Sequence, residues 1–211
     1  KETKIYFADK TGAAQSVILA GHTTISRDHE DYFAFNLLNQ IFGGQFTARL
    51  NMNLREDKGF SYGYMSSIDW LNIPSAFLAG GSVQTEVTKD SVLETIKEFS
   101  DIKGPRPVTK DEFVDARDSI LRSLPSQFET NGQTLQQLAR IPMFNLPIDY
   151  FSTFSSTLEN LRLEDIHRVA DTLIQDNSLT VLIVGDRSTI DSDVNSIGLP
   201  VIYVDYEGRP T

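Results

Sequence analysis

A chain of 211 residues, 40% hydrophobic and with 13 phenylalanines, suffices for one domain with a sizeable core. Its 29 acidic against 19 basic side chains, net charge −10, argue against a nucleic-acid partner, whose phosphates need clustered Lys and Arg. The absence of cysteine excludes disulfides and thiolate metal sites, and no apolar run approaches the roughly 18 residues of a membrane span.

The first residues read as a strand rather than a leader peptide. Because the chain starts at Lys1 and not at Met, it is expected to be a domain of a longer protein. Ile5 to Ala8 and Ala14 to Ala20 read as a first pair of strands, joined by a turn at Asp9–Gly12. A helix is predicted from about His29 to Phe42, with Asp28 as N-cap and a stripe of Ala34, Leu37, Leu38 and Ile41 at helical spacing. Gly43-Gly44 ends it. The next stretch conflicts with itself. Phe46, Ala48, Leu50, Met52 and Leu54 alternate as in a strand, while Asn51 and Asn53 suit strands poorly. Phe46, Leu50 and Leu54 also form an i, i+4 row, and Lys58-Gly59 fits a helix stop.

From Phe60 to Leu71 and from Ser75 to Val83, two strands are expected to pair antiparallel around Asn72-Ile-Pro74. Helices then follow at about 87–102, 109–124, 133–141, 148–160 and 163–174, the second opened by the capping box Thr109-Lys-Asp-Glu112. Leu179 to Gly185 and Val201 to Val204 read as returning strands. This order predicts a single two-layer α+β domain over residues 1–211, with a mainly antiparallel sheet and helices packed on one face.

Few side chains carry obvious chemistry. The three histidines, His22, His29 and His167, show neither H-E-x-x-H nor H-x-x-E-H spacing. His22 is expected in a loop, His29 in an acidic first helical turn and His167 on a solvated helix face. No G-x-S-x-G elbow occurs, and Ala79-Gly80-Gly81-Ser82 lacks the lysine of a phosphate-binding loop. Gly80-Gly81 reads instead as a bulge or a close approach of backbones. Phe144, Tyr150, Phe151 and Phe154 are expected in the core. No metal or cofactor site is predicted within the chain. The acidic balance reads as a solvated surface or as a lining that attracts basic peptides.

Two segments carry the functional signal. Phe42-Gly-Gly-Gln-Phe-Thr-Ala-Arg-Leu50 separates two helical stretches. Leu54-Arg-Glu-Asp-Lys-Gly-Phe-Ser-Tyr-Gly63 places Arg55 in a last helical turn and Tyr62, seven residues on, near the start of a strand. Together they resemble the second, metal-free domain type of the pitrilysin/insulinase-like zinc peptidases and their mitochondrial processing-peptidase relatives. Looser similarities follow at Pro147–Tyr150, Leu163–Ala170 and Val181–Asp186. The resemblance favours a helix through Leu54. It implies that Arg55 and Tyr62 contact the scissile carbonyl of a peptide or unfolded polypeptide. The zinc is then expected in a partner domain, in the same chain or another. The same spacing is also found in the second domain of the zinc-bearing half of the family, where it need not touch substrate. A non-catalytic scaffold or assembly subunit is the alternative the family offers, a stand-alone peptide-binding module a third. A periplasmic or cell-envelope location fits bacterial members of the family, although no residue here specifies it.

Overall fold

The structure, a computed structural model, describes residues 2–211. Its strands are β1 (Lys4–Asp9), β2 (Gln15–Thr24), β3 (Ser61–Asp69), β4 (Ser75–Gln84), β5 (Thr180–Gly185) and β6 (Val201–Val204). They form one sheet in the order β3-β4-β2-β5-β1-β6. Pairing is antiparallel from β3 through β4 and β2 to β5, and parallel from β5 to β1 and β6.

The predicted β1–β2 pair is therefore not a pair, because β5 lies between them. The loop between β1 and β2 must step over a strand, a span of about 10 Å at ordinary interstrand spacing. It is tied to the end of β5 instead of closing a hairpin. Lys10 N donates to Gly185 O (2.8 Å), Gly12 N to Asp186 Oδ2 (2.9 Å) and Arg187 N to Asp9 Oδ1 (2.9 Å).

Helices cover one face of this sheet. They are α1 (Tyr32–Asn39), α2 (Arg49–Asn51), α3 (Thr88–Asp101), α4 (Lys110–Ser123), α5 (Asn131–Met143), α6 (Tyr150–Glu159), α7 (Leu163–Leu173) and α8 (Arg187–Asn195). The sequence reading contains no α8; Asp186 caps it by accepting from Ser188 N (3.0 Å), and Ile190 and Val194 anchor it. The capping box on α4 forms as expected, Thr109 and Glu112 each accepting the other's backbone N–H.

Strand periodicity separates the two faces. Ser16, Ile18, Ala20, His22 and Thr24 of β2 are buried, and so are Phe77, Ala79 and Val83 of β4. The alternate residues face solvent, Val17, Leu19 and Met65 being exposed. The core centres on Phe77, whose ring lies 5.3 Å from Phe35, 5.5 Å from Phe42 and 5.6 Å from Phe99. Each such aromatic pair adds about 0.5–1.5 kcal/mol beyond its area. The predicted stripe of Ala34, Leu37, Leu38 and Ile41 is buried in the same cluster.

Helix α1 starts later than expected. Asp28 is not its cap but accepts from the Ser26 hydroxyl (2.5 Å), and His29–Asp31 precede the helix. The reason is an ion pair: Arg168 of α7 forks onto both oxygens of Asp31 at 2.6 and 3.0 Å, which fixes the chain before the first turn. The His22 expectation is also corrected. His22 sits inside β2, 8% exposed, edge-on to Phe77 at 5.5 Å. Of the four aromatic residues placed in the core, only Tyr150 is buried; Phe144, Phe151 and Phe154 are half-exposed.

The stretch with conflicting patterns is helical. From Arg49 to Asn51 it is α-helical, and from Met52 to Asp57 it widens into a π turn. Leu50 and Leu54 are fully buried on one side of it. Asn51, 1% exposed, shows why a poor strand residue stands here. Its amide donates to Phe46 O (2.7 Å) and accepts from Tyr64 N of β3 (3.1 Å). The helix is thus clamped to the start of the sheet.

Both buried polar residues generate expectations. Asn51→Ala leaves the Tyr64 N–H and the Phe46 carbonyl without these partners, and urea unfolding should show a loss of about 1–3 kcal/mol. An unchanged midpoint would refute the clamp. His22 is held as the neutral ring, with Nδ1 donating to Thr23 O (3.0 Å) and Nε2 accepting from Gln175 N (3.3 Å). Burial lowers its pKa from 6.5, helped by the nearby Lys103 and opposed by the Thr23 carbonyl and Asp176. Since the folded value lies below the unfolded one, its contribution is complete above pH 6.5 and is lost as pH falls through the folded value. Thermal melts from pH 7.5 to 5 should show a falling midpoint, and His22→Gln should flatten that fall. Equal slopes in both proteins would remove His22 as its source.

Candidate functional site

Three local devices bring the end of the α2 π turn and the start of β3 to one place. The first is a glycine stop. Gly59 has φ +66°, a left-handed conformation that costs glycine little. It lets Phe60 N donate back to Leu54 O (2.8 Å) and reverses the chain.

A β-bulge is the second device. Ser61 faces Val83 and Tyr64 faces Gly81, so three steps on β3 match two on β4. By simple alternation Tyr62 would share the inward parity of the buried Tyr64 and Ser66. The extra residue breaks that parity and turns Tyr62 outward, leaving it 92% exposed. Ser61 holds the bulge: its hydroxyl lies 2.7 Å from Ser82 O and accepts from Gly63 N (3.1 Å).

Glycine on β4 is the third. A Cβ at Gly81 would lie 2.5 Å from Gly63 O, and one at Gly80 would collide with Ile18 O. The close approach expected at Gly80-Gly81 is present, while the bulge itself lies opposite, on β3.

Arg55 and Tyr62 line one cleft of about 360 Å³, together with Gln15, Glu56, Phe60 and Gln84. The Arg55 guanidinium carbon lies 4.4 Å from the Phe46 ring centroid, a cation–π contact that holds the planar group. Its Nη1 is 3.0 Å from Glu56 Oε1, yet at an angle that makes no hydrogen bond, so this buried nitrogen has no hydrogen-bonding partner. Close approach without a bond is a weak tether. With side chains 32% and 41% exposed, such a pair contributes at most about 1 kcal/mol. The chemistry available is that of two hydrogen-bond donors, a cationic guanidinium fork and a neutral phenol, suited to an oxygen that gains negative charge. The Arg55–Glu56 approach is the pairing the sequence offers as the structural alternative; Phe46 is visible there only through the alternating pattern and the helical row.

The histidines do not converge. His29 precedes α1, where Nδ1 accepts from Asp31 N (3.0 Å). His167, expected on a solvated face, is half-buried and reaches across to Val108 O through Nε2 (2.7 Å). Among the described residues no three His, Cys, Asp or Glu side chains form a group able to hold a metal ion. These residues therefore offer no donor set that fits zinc. Among the described residues no helix is long and apolar enough to cross a membrane.

Residues 1–120 match the family described as Peptidase M16 inactive domain. Among solved structures, the fold is similar to a peptidase M16 inactive domain from Pseudomonas fluorescens, with TM-score 0.80, 22% identity, and coverage of 88% of this chain and 43% of that one. It is similar to a protease from Helicobacter pylori, with TM-score 0.72, 18% identity, and coverage of 87% and 44%. A chain of complex III2 from Candida albicans also shares the fold, with TM-score 0.72, 9% identity, and coverage of 92% and 49%. The chain spans less than half the length of each of these three structures. No curated protein matches it. A glycine-stopped helix feeding a bulged edge strand, on a one-sided α+β sheet, goes with the sequence match over more than half its length: the chain belongs to the peptidase M16 inactive-domain family.

Proposed function

We propose that residues 1–211 are one metal-free domain of a zinc metallopeptidase, forming a wall of its peptide-binding chamber. The catalytic zinc and its base belong to a partner domain in the same chain or another, and this domain alone is inactive. Arg55 and Tyr62 contact the scissile carbonyl as it becomes an oxyanion. The observation that carries this reading is their shared cleft, with an outward, unbonded phenol beside a guanidinium held only by ring stacking and a poorly aligned carboxylate. The helix-free sheet face, with Val17, Leu19 and Met65 exposed, supports an extended or unfolded polypeptide as the ligand.

A second reading, a non-catalytic scaffold or assembly subunit, is favoured by two observations. Arg55 already has Glu56 beside it, and the fold recurs in a chain of complex III2. In that case the cleft pair is a structural remnant.

Substitution in the complete protein, with its zinc-bearing domain, separates the two. Arg55→Ala and Tyr62→Phe should each lower peptide turnover at least about tenfold, a modest demand for a lost oxyanion donor, with unchanged circular dichroism. Wild-type turnover in both variants would remove the proposed role.

A further inference from the structure

Arg27 is the most deeply buried cation of the described residues, at 6% exposure. Arginine is seldom buried without a carboxylate partner, and in a chain with 29 acidic side chains partners are plentiful. Yet among the described residues Arg27 makes no ion pair. Its single side-chain hydrogen bond runs from Nη2 to Tyr150 Oη (2.7 Å). The rest of its environment is aromatic, with the guanidinium carbon 3.4 Å from the Tyr32 ring centroid, 5.2 Å from Tyr150 and 5.7 Å from Phe144.

The unpaired donors are not sealed in. No Arg27 nitrogen is among the solvent-inaccessible groups lacking a bond, and Arg27 lines an open cleft of about 350 Å³. Tyr32, Ile68, Trp70 and Phe144 form its apolar walls, and a second guanidinium, Arg140 of α5, stands at its exposed side, likewise without an ion pair. One carboxylate, Asp69, is on the rim and pairs with neither arginine. Two hydrogen bonds hold the walls together: the backbone Arg27 N donates to Leu71 O (2.8 Å), and the Asn72 side-chain Nδ2 to Met143 O (2.8 Å). This fixes the β3–β4 turn against the end of α5.

We propose that this cleft binds a carboxylate carried on an apolar or aromatic body. The charge is received by Arg27 and Arg140, and the body lies against Trp70, Tyr32 and Phe144. A guanidinium fork matches a carboxylate in plane and charge. The volume lies at the lower end of small-molecule sites, about 300–1,000 Å³, and accommodates one residue-sized group. Inorganic anions would leave the apolar walls unused. Two sources share this chemistry, a free small organic acid and the C-terminal residue of a peptide. The cleft lies at the opposite end of β3 from Tyr62 and does not depend on the role proposed for Arg55.

Trp70 is the only tryptophan of the chain, so its fluorescence reports the cleft directly. The full chain is titrated with N-acetyl-L-phenylalanine and with its amide, and a hexapeptide ending in phenylalanine forms a further arm. The free acid should give a saturable change, with the amide at least about tenfold weaker, the usual consequence of losing a charge-assisted hydrogen bond. Arg140→Gln, an exposed change that leaves the unfolding midpoint in place, should weaken the acid by a similar factor. Arg27→Lys, which keeps the charge but removes the fork, should weaken it too. Hexapeptide binding at equal affinity assigns the site to peptide C-termini; binding of the small acid alone assigns it to free acids. Equal binding of acid and amide, an unchanged affinity in Arg140→Gln, or equally strong competition by inorganic phosphate would overturn the proposal.

Discussion

An unequal step count between β3 and β4 decides what this domain presents to its surroundings. Three residues on one strand face two on the other between Ser61 and Tyr64, and everything at the Arg55 cleft follows from that mismatch. Without it Tyr62 would point into the core beside Tyr64. With it the phenol stands in solvent while Tyr64 keeps its buried place. Ser61 holds the bulge from inside the sheet, and Asn51 holds it from the helix by capturing the Tyr64 N–H. The helical segment that leads to Arg55 is therefore bonded to the strand that carries Tyr62.

The rest of the architecture supplies the rigid backing. All helices lie on one face, where Phe77 gathers Phe35, Phe42 and Phe99 into a packed aromatic cluster. The opposite face stays open, and glycines at 80 and 81 let strand backbones approach where a Cβ would not fit. One end of β3 feeds the Arg55–Tyr62 cleft and the other the Arg27–Arg140 cleft. A single strand thus separates two arginine-bearing clefts on a chain whose overall charge is strongly acidic.

How much of this is legible in the sequence depends on whether the governing interaction is local. The Gly59 stop, the capping box at Thr109 and the stripe of α1 are local, and their residues announce them. Arg55 and Tyr62 stand out because a glycine stop and a strand start lie between them within eight residues. Contacts across long sequence separations are silent. Nothing near Asp9–Ala14 indicates that residues 180–185 will insert between β1 and β2. Nothing around His22 indicates that Phe77 and Gln175 will enclose it, and Asp31 yields its place in α1 to an arginine 137 positions away. Arg27 is the clearest case, since a lone arginine in a polar stretch gives no hint that aromatic and apolar side chains will surround it. Asn51 shows the reverse: a residue that counts against a strand by propensity is explained by the bulge that it clamps.

The central claim is that Arg55 and Tyr62 act on one oxygen as a unit. A double-mutant cycle on peptide turnover in the complete protein tests this directly, using Arg55→Ala, Tyr62→Phe and the pair combined. Groups that act together are strongly non-additive, so the double variant should turn over within about threefold of the slower single variant. Losses that multiply would mean two independent contacts, and their absence altogether would mean that the cleft touches no reacting carbonyl; either result contradicts the account.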